Sequence, residues 1–555
     1  MKEIITNLLA RQLKKETEAI ASLIEIPQDA SHGDYAFPCY TLARDFKKSP
    51  VDLARELATQ LSLVPQLERI EAKGPYLNFF VNRSLLAQQT LKKILKDKDK
   101  YGASKDGKGK TIVIDMSSPN IAKPFGIGHL RSTMIGNAIA NTSKFLGYKV
   151  VKINYLGDWG TPFGKIIAAY QEFGDVNKFK ENPIHHLYEI YVKASQDKSF
   201  EEKGRQMFKR LSQGDKKIVA IWKKCREESL KEFDKIYKLL GVSFDVITGE
   251  SEYESYIPAI VKELREKKLL KEDQGAQIVD LEEYGLGVCL IQKSDGTTLY
   301  ATRDLALATQ RYKKYKFDKM LYEVGSEQKL NFNQLFKVLE LLGYAWAKDC
   351  KHIAHGLYLD QDGKKFATRK GKTVFMEEIL QETVDLAREE IKKREKLEEK
   401  KINERALAIA RAAIIYGDLK NYREQNAIFD IERFLSFEGD TGPYLLYTYA
   451  RAQSILAKAN KSKTAKIISL SDKEKQIFVH LAKFPQTIQA AYNCFTPNLI
   501  ANYAYQLAQS FNEFYHTHPV IGSKEEAFRL QLVQASSQVL KNALSLLGIS
   551  VLEKM

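Results

Sequence analysis

The segment MSSPNIAKPFGIGHLRST, residues 116–133, contains residue types that bind phosphate groups. Gly126 and Gly128 let the backbone approach a ligand closely, and His129 stands where a helical pattern begins. Free N–H groups at a helix start bind anions, and Lys123 adds positive charge beside them. A plain glycine turn followed by a histidine in the first helical turn explains the same spacing. By itself, the spacing supports a phosphate site and a plain glycine turn equally well.

The elements around this segment predict a doubly wound parallel sheet. The run TIVIDMSS is apolar and rich in β-branched residues, which suits a buried parallel strand. A helical pattern over about 128–146 and a second apolar run, KVVKINYL, complete a strand–helix–strand unit. Further candidate strands are GVCLIQ, KMLYEVG and HIAHGLYL.

The order of these patterns along the chain predicts three domains. Residues 1–105 form a small α+β module that ends in a charged, glycine-bearing linker. Residues 106–395 form the sheet domain, which a Lys-rich helical insertion interrupts at about 170–245. Residues 396–555 are helix-periodic and predict an all-α bundle.

Composition and charge narrow the classes of protein. The chain has 555 residues, 44% of them hydrophobic, which indicates a globular protein with several cores rather than a disordered one. Its 86 Lys+Arg exceed its 70 Asp+Glu, giving a formal net charge of +16. That surplus favours a polyanionic partner such as nucleic acid, but a solvated basic surface explains it equally well.

The cysteines and the N-terminus indicate the compartment. The cysteine count is odd and no CxxC pair occurs, so neither a disulfide framework nor a cysteine zinc site is indicated. We expect each of the five to be a small buried side chain: Cys39, Cys225, Cys289, Cys350 and Cys494. There is no apolar run of about 18 residues and no signal peptide, since residues 1–20 show an amphipathic helix pattern. We therefore expect a cytoplasmic protein.

Residues 116–133 resemble the signature of class I aminoacyl-tRNA synthetases, and SPNIAKP with HLRST are similar specifically to arginyl-tRNA synthetases. Further blocks follow in the family's order: GDWGTPFGK, FDVITGES, SDGTTLYATRDLA, VGSEQKLNFNQLF, HGLYL, FATRKGKTV and GDTGPYLLYTYAR. GDYAFPCYTLAR and GPYLNFFVN near the start and FNEFYHTHPV near the end extend the resemblance over essentially the whole chain. So many blocks in order make the resemblance specific.

The resemblance implies an α/β fold class. It comprises a Rossmann-type parallel-sheet catalytic domain with a helical insertion, an N-terminal α+β module that contacts tRNA, and a C-terminal all-α anticodon-binding bundle. The implied reaction condenses ATP and L-arginine to arginyl-adenylate, with Mg²⁺ shielding the leaving pyrophosphate. The terminal ribose hydroxyl of tRNA then displaces AMP, and bound tRNA is needed for arginine activation. The implied enzyme is a monomer that does not bind membranes and has no metal site of its own.

The resemblance also assigns residues to the ATP end of the site. Positions implied in ATP binding are Gly126, Gly128, His129, His355 and Gly356, and catalytic ones are Lys123, His129, Lys365, Arg369 and Lys370. Gly126 departs from the family signature, which has a histidine there, and Lys123 is the candidate that compensates for it. The loop KFATRKGK would close over the pyrophosphate, although lysine-rich loops are more often solvated turns.

For arginine recognition, the resemblance implies six contact positions: Ser118, Asn120, Glu250, Tyr300, Asp304 and Gln328. Glu250 and Asp304 would hold the guanidinium, which carboxylates bind best, and Asn120 would contact the amino or carboxylate group. Tyr300 and Asp304 are four residues apart and so share one helix face. Taken alone, an acidic residue on a helix is usually solvated surface.

Candidate tRNA contacts come from both ends of the chain. In the bundle, Tyr447 and Arg451 share a face and offer a stacking surface, whereas at least two of Tyr444, Tyr447, Tyr449 and Arg451 should be core. In the module, GPYLNFF resembles the strand that meets the tRNA D-loop, which makes Tyr76 and Asn78 candidates. Alternation should expose both while Leu77 and Phe79 are buried. Met555, at the chain end, is a further candidate.

Two other classes of protein share part of this pattern. A non-catalytic RNA-binding relative would explain Gly126 but not the basic loop together with Lys123, His129, Asp304 and Gln328. A class I nucleotidyltransferase shares the strand–GxGH–helix arrangement but not the helical bundle or the N-terminal module. Arginine in the reaction product separates these alternatives.

Overall fold

The computed structural model describes residues 1–27, 29–294, 296, 300–366, 368–369, 372–373, 375–459 and 469–555. The chain divides into two compact units. Unit 1 comprises residues 1–101, 455–484 and 506–539, and unit 2 comprises residues 102–454, 485–505 and 540–555.

The N-terminal part of unit 1 is a three-stranded antiparallel sheet with four helices. In chain order the elements are α1 (Lys2–Leu13), α2 (Thr17–Leu23), β1 (Tyr35–Pro38), α3 (Pro50–Gln60), β2 (Leu67–Lys73), β3 (Tyr76–Val81) and α4 (Arg83–Asp97). The strand order is β1-β3-β2, so β3 is central. The core contains Ile5, Leu9, Phe37, Leu77 and Phe79, all fully buried. This part is therefore an α+β module, as predicted.

The expected exposure of Asn78 is wrong. Only 3% of Asn78 is exposed, because β3 is the central strand and Asn78 lies in register between Ala36 of β1 and Glu71 of β2. Leu77 and Phe79 are buried as expected. Period-two alternation identifies two faces of a strand but cannot show that both are covered.

Unit 2 contains most of the strands. In chain order they are β4 (Thr111–Asp115), β5 (Lys149–Leu156), β6 (Val246–Gly249), β7 (Leu270–Asp273), β8 (Ala276–Asp280), β9 (Val288–Gln292), β10 (Lys319–Gly325), β11 (Cys350–His355), β12 (Tyr358–Leu359), β13 (Thr368–Arg369), β14 (Lys372–Thr373) and β15 (Ala427–Ile428). Five of them form a parallel sheet in the order β11-β10-β4-β5-β6. The predicted parallel sheet is thus confirmed.

The sheet differs from the sequence expectation at two strands. GVCLIQ forms β9, which pairs antiparallel with β8 in a separate three-stranded sheet. The segment VITG, for which no strand was predicted, forms the edge strand β6 beside β5. Four residues are too few to show a strand period, and an apolar run does not reveal which sheet it joins.

Helices surround the sheet. In unit 2 they are α5 (Ile127–Phe145), α6 (Thr161–Phe173), α7 (Val176–Glu181), α8 (Pro183–Ser195), α9 (Ser199–Ser212), α10 (Lys216–Leu240), α11 (Ile257–Glu266), α12 (Tyr300–Tyr315), α13 (Lys329–Leu341), α14 (Met376–Arg394), α15 (Glu399–Leu419) and α16 (Ile431–Phe434). Four of the five unit boundaries fall within the remaining four helices: α17 (Gly442–Lys458), α18 (Asp472–Cys494), α19 (Asn498–Thr517) and α20 (Glu526–Leu547). Among the described helices, none combines the length and hydropathy needed to cross a lipid bilayer.

The insertion between β5 and β6 consists of α6 to α10, and α10 is its longest helix. Asp215 caps its start by accepting the N–H groups of Lys217 and Ile218, and Gly241 ends it in a left-handed conformation with φ 70°. Its buried face carries a row of residues at four-residue spacing, Cys225, Ser229, Phe233 and Tyr237. Two of these four are polar, so this face is built for hydrogen bonding as well as packing.

The cysteine expectation is wrong at one position. Cys39, Cys225, Cys289 and Cys350 are buried, whereas Cys494 is exposed. Cys494 is the last residue of α18, where the packed face of the helix ends.

Candidate active site

A cavity of about 800 Å³ opens at the carboxyl ends of β4, β5 and β10. Ligands in open parallel sheets bind at this edge, because the loops that leave the strands converge there. Ten of the residues predicted from the sequence line the cavity: Ser118, Asn120, Gly128, His129, Glu250, Tyr300, Asp304, Gln328, His355 and Lys365. The structure thus brings together motif blocks that are more than 200 residues apart.

The turn that follows β4 has an unusual backbone. Ser117, Ser118 and Ala122 all have left-handed φ angles, of 74°, 49° and 56°. Residues with a side chain rarely adopt this conformation, at a cost of about 1–3 kcal/mol each, so the surroundings must hold it in place. Because Ser118 and Asn120 line the cavity, this backbone sets the direction of their side chains.

Three side chains from three elements hold that turn. Ser132 of α5, Asn154 of β5 and Ser229 of α10 accept the turn's backbone N–H groups: Ser117 to Ser132 Oγ at 2.9 Å, Ser118 to Asn154 Oδ1 at 3.2 Å and Ala122 to Ser229 Oγ at 2.8 Å. Each strained residue therefore has its backbone donor satisfied inside the protein.

Tyr237 of α10 joins these contacts. Its hydroxyl lies 2.7 Å from Ser117 Oγ and accepts a hydrogen bond from Asn154 Nδ2 at 3.0 Å. Ser229 and Tyr237 are eight residues apart on one face of α10. A single helix therefore forms hydrogen bonds with both ends of the turn. Sequence reasoning missed both residues. The available signal was that both polar residues fall on the buried row of α10 that repeats every four residues.

His129 lies in the first turn of α5. Its Nδ1 accepts the backbone N–H of Gly126 at 3.1 Å, so in the neutral ring the hydrogen is on Nε2. Burial, together with the smaller electrostatic effects of His355 and Lys123, lowers the pKa of His129 to about 4. At neutral pH the ring is therefore an uncharged hydrogen-bond donor and does not supply positive charge.

His355 is fixed by a buried carboxylate. Its Nδ1 lies 2.9 Å from Oε1 of Glu323, which is buried near the end of β10 and also lines the cavity. Within the described part of the chain, the other carboxylate oxygen of Glu323 has no hydrogen-bond partner. Sequence reasoning missed Glu323, because a single acid inside the apolar run KMLYEVG gives no hint of its partner.

The opposite end of the cavity is acidic. Burial raises the pKa of Asp304 and of Glu250 to about 7 each, against the lowering effect of Arg303. Arg303 Nη1 lies 3.6 Å from Glu250 Oε2, so Glu250 already faces one guanidinium from within the protein. Two carboxyl groups with pKa values near 7 can bind a cationic ligand by releasing their protons.

Asp158 locks the loop that carries Glu250. This fully buried carboxylate accepts the Ser251 N–H at 2.9 Å, the Ser251 hydroxyl at 3.0 Å and the Arg226 Nε–H at 3.1 Å. A Cβ on Gly249 would lie 2.0 Å from Asp158 Oδ2. Only glycine therefore fits at 249. Sequence reasoning missed this link, which spans 93 residues.

Comparison with known proteins identifies the family. The model described as "tRNA synthetases class I (R), catalytic domain" matches residues 90–431, "Arginyl tRNA synthetase N terminal domain" matches 1–81, and "DALR anticodon binding domain" matches 445–555. The chain is 45% identical over 569 residues to "Arginine--tRNA ligase" of Clostridium perfringens, with all of both chains covered. It is 46% identical to "Arginine--tRNA ligase 2" of Bacillus anthracis, covering 100% of this chain and 99% of that one. The chain belongs to the arginyl-tRNA synthetases.

Solved structures agree at the level of the fold. The Thermus thermophilus arginyl-tRNA synthetase has a TM-score of 0.84 at 24% identity and covers all of both chains. The Plasmodium falciparum enzyme has a TM-score of 0.82 at 22% identity and covers 100% of this chain and 99% of that one. The predicted fold class is thereby confirmed. The nucleotidyltransferase alternative is wrong. In addition to the catalytic-domain model, the N-terminal and anticodon-binding models of the synthetase family match this chain.

Some predicted site residues of the synthetase lie beside the cavity and do not line it. Lys123 Nζ lies 4.8 Å from the centroid of the Tyr191 ring, on the insertion helix α8. Gly126 lies immediately before the first residue of α5. At Gly356, an added Cβ would lie 2.5 Å from the backbone oxygen of Gln425. Gly356 therefore allows the segment before β15 to approach the sheet closely.

The basic loop is described only in part. Lys365 lines the cavity, and its Nζ lies 3.8 Å from Glu327 Oε1. Arg369 belongs to the short strand β13, but its side chain lies outside the described part of the chain. Lys370 lies outside the described residues.

The predicted tRNA contacts are distributed over both units. In α17, the Arg451 guanidinium lies 4.8 Å from the centroid of the exposed Tyr447 ring, so the two share a face as expected. Tyr449 is buried. In β3, Tyr76 is half-buried and packs edge-on against Tyr40 at 5.8 Å. Met555 is half-buried at the chain end.

Gly249→Ala should destabilise unit 2, because the new Cβ displaces the Asp158 carboxylate from the Ser251 donors. We expect a loss of about 1–3 kcal/mol in the free energy of unfolding, measured as a lower thermal midpoint. Gly128→Ala is the matched control, since its new Cβ would meet nothing within 4 Å apart from its chain neighbours and the backbone of its own helix. Equal midpoints for the two variants would contradict the proposed lock.

Proposed function

We propose that this synthetase joins L-arginine to tRNA in two steps within the cavity described above. In the first step a carboxylate oxygen of arginine attacks the α-phosphorus of ATP, and the bond to pyrophosphate breaks. In the second, a ribose hydroxyl at the tRNA end attacks the adenylate carbonyl and AMP leaves. The observation that carries the proposal is that one cavity joins the helix start at His129 to the buried acids Glu250 and Asp304.

The ATP end of the cavity uses donors more than charge. His129 donates from Nε2 to a phosphate oxygen, beside the free N–H groups at the start of α5. Gly126, Gly128, His355 and Gly356 border the nucleotide. These groups are fixed before the substrate arrives, which favours the transition state because no reorganisation is needed.

The positive charge at this end comes from lysines and arginine. Lys365, Arg369 and Lys370 close over the pyrophosphate. The family signature has a histidine at the position of Gly126, and Lys123 supplies positive charge instead of that histidine. The described residues contain no group of three or more His, Cys, Asp or Glu that could hold a metal ion. Mg²⁺ would arrive bound to ATP and would shield the charge of the pyrophosphate.

The arginine end is built for a guanidinium. Glu250 and Asp304 bind it from two sides, and Tyr300, one turn before Asp304 on α12, covers it. Ser118 and Asn120, whose direction the left-handed turn fixes, contact the amino and carboxylate groups. Gln328, after β10, completes the substrate contacts.

The tRNA is held at sites away from this cavity as well. Tyr76 contacts the D-loop, and Tyr447, Arg451 and Met555 contact the anticodon region. The synthetase acts as a monomer in the cytoplasm, and arginine activation depends on bound tRNA. Asn78 is excluded as a direct contact, because its side chain is buried in the module.

Charging of a tRNA pool with each labelled amino acid, with ATP and Mg²⁺ present, tests the function. We expect arginine alone to be attached, and only to arginine-accepting tRNA. Arginine-dependent exchange between ATP and pyrophosphate should require that tRNA. Exchange at the same rate without tRNA contradicts the coupling. Absence of charging with tRNA binding retained contradicts the catalytic assignment.

Arginine affinity should fall as the pH falls through 7. At lower pH Asp304 and Glu250, whose pKa values are raised to about 7, become protonated and no longer attract a guanidinium. From about pH 8 to about pH 6 the dissociation constant should rise about 10-fold for each group that must ionise. Calorimetry in buffers of different ionisation enthalpy should show proton release on binding. An affinity that is constant over this range would contradict the assignment, and Asp304→Asn should reduce the pH dependence.

Tyr237→Phe should raise KM for arginine about 5-fold, because it removes the hydroxyl that braces Ser117 and Asn154. KM for ATP should stay within twofold of the original, since the turn carries the proposed arginine contacts. The matched control is Tyr170→Phe, whose hydroxyl accepts a hydrogen bond from the exposed Lys224. Equal increases in both KM values, or the same effect from the control, would show that Tyr237 does not position the turn.

A further inference from the structure

The segment that follows α15 holds the backbone on both sides of His355, which lines the active-site cavity. Arg423 of this segment donates a hydrogen bond from Nη1 to the carbonyl oxygen of Ala354. Its own carbonyl oxygen accepts the N–H of Gly356 at 2.9 Å. Arg423 itself does not line the cavity. A residue outside the cavity therefore fixes the backbone from which the His355 ring projects.

The same guanidinium also binds a second part of the backbone. Its Nε donates to the carbonyl oxygen of Phe495 at 3.1 Å, and only 11% of the Arg423 side chain is exposed. Phe495 follows the last residue of α18 and is buried in a left-handed conformation, with φ 51°. Strained residues at the ends of helices are positions where a change in the angle between two helices can be absorbed. Arg423 thus links the joint between α18 and α19 to the backbone beside His355.

Beyond that joint, α19 packs against the helix that carries the proposed anticodon contacts. The ring of Tyr505 on α19 lies 5.8 Å from the ring of Tyr444 on α17. Tyr444 lies about one turn before Tyr447, which forms the proposed tRNA surface together with Arg451. All of these residues belong to unit 2. Packed side chains and hydrogen bonds therefore connect the proposed tRNA surface to His355.

We propose that Arg423 couples the binding of tRNA on α17 to the binding of ATP at the nucleotide end of the cavity. The inference rests on the proposed function, which places tRNA on α17 and ATP beside His355. A shift of α19 on tRNA binding moves the Phe495 carbonyl, and the planar guanidinium transmits this movement to Ala354. Arg423 is a positioning residue, since it acts on the nucleotide through the backbone of β11. Coupling of this kind is a free energy between two binding sites and is measured by binding alone.

Equilibrium binding of a non-hydrolysable ATP analogue, without tRNA and with saturating arginine-accepting tRNA, tests the proposal. For the original protein we expect tRNA to lower the dissociation constant of the analogue by about 5-fold or more, and the analogue to tighten tRNA binding by the same factor. Arg423→Met removes both hydrogen bonds to the carbonyl oxygens but keeps a long unbranched side chain. In this variant the effect of tRNA should fall below about twofold.

Two matched variants separate this coupling from a loss of stability and from a loosened loop. Arg411→Met, on α15, removes two arginine–carbonyl hydrogen bonds of the same kind, to Leu239 at 2.9 Å and to Lys238 at 3.1 Å. It should leave the effect of tRNA on the analogue unchanged. Asn426→Ala removes the acceptor of the Leu357 N–H at 2.8 Å, and it should weaken the analogue equally with and without tRNA.

Three outcomes would overturn the proposal. They are an unchanged tRNA effect in Arg423→Met, a loss of the effect in either matched variant, and no effect of tRNA on the analogue in the original protein. Binding requires no catalysis, so charging by the unsubstituted protein separately decides whether the proposed function itself fails.

Discussion

The turn between β4 and α5 places three residues with side chains in left-handed backbone conformations, and the rest of the site depends on keeping them there. Three strained residues cost of the order of several kcal/mol together, so the turn would relax if its surroundings were loose. The surroundings are contributed by α5, by β5 and by the insertion helix α10. The insertion therefore helps to hold the candidate active site, through buried polar residues that contact the turn.

This constraint explains the polarity of the cavity. The turn fixes Ser118 and Asn120 between the proposed nucleotide end, where an uncharged His129 would donate a hydrogen bond, and an acid end, where the pKa values of Glu250 and Asp304 are raised to about 7. Without substrates, the buried carboxyl groups are only partly charged. Binding of the cationic substrate would favour the ionised form of both carboxyl groups. Arginine recognition would therefore be coupled to proton release.

Motif residues on the strand ends were predictable, because the carboxyl edge of a parallel sheet collects every loop that follows a strand. Residues that act through partners far away in the sequence could not be predicted. Asp158 and Ser251 are 93 residues apart, Ser117 and Tyr237 are 120 apart, and no local period links such pairs. The same limit explains Asn78 and β9, because alternation describes one strand and cannot show which neighbours cover it. Family resemblance supplied the proposed contact residues, whereas only the structure shows what holds them.

A crystal structure with a non-hydrolysable arginyl-adenylate analogue tests the central claim most directly, that this cavity orients arginine between the strained turn and the buried acids. The account predicts the guanidinium between Glu250 and Asp304, the carbonyl end beside Ser118 and Asn120, and unchanged left-handed angles in the turn. A guanidinium bound elsewhere while Arg303 still faces Glu250, or a turn that relaxes when the analogue binds, would contradict it.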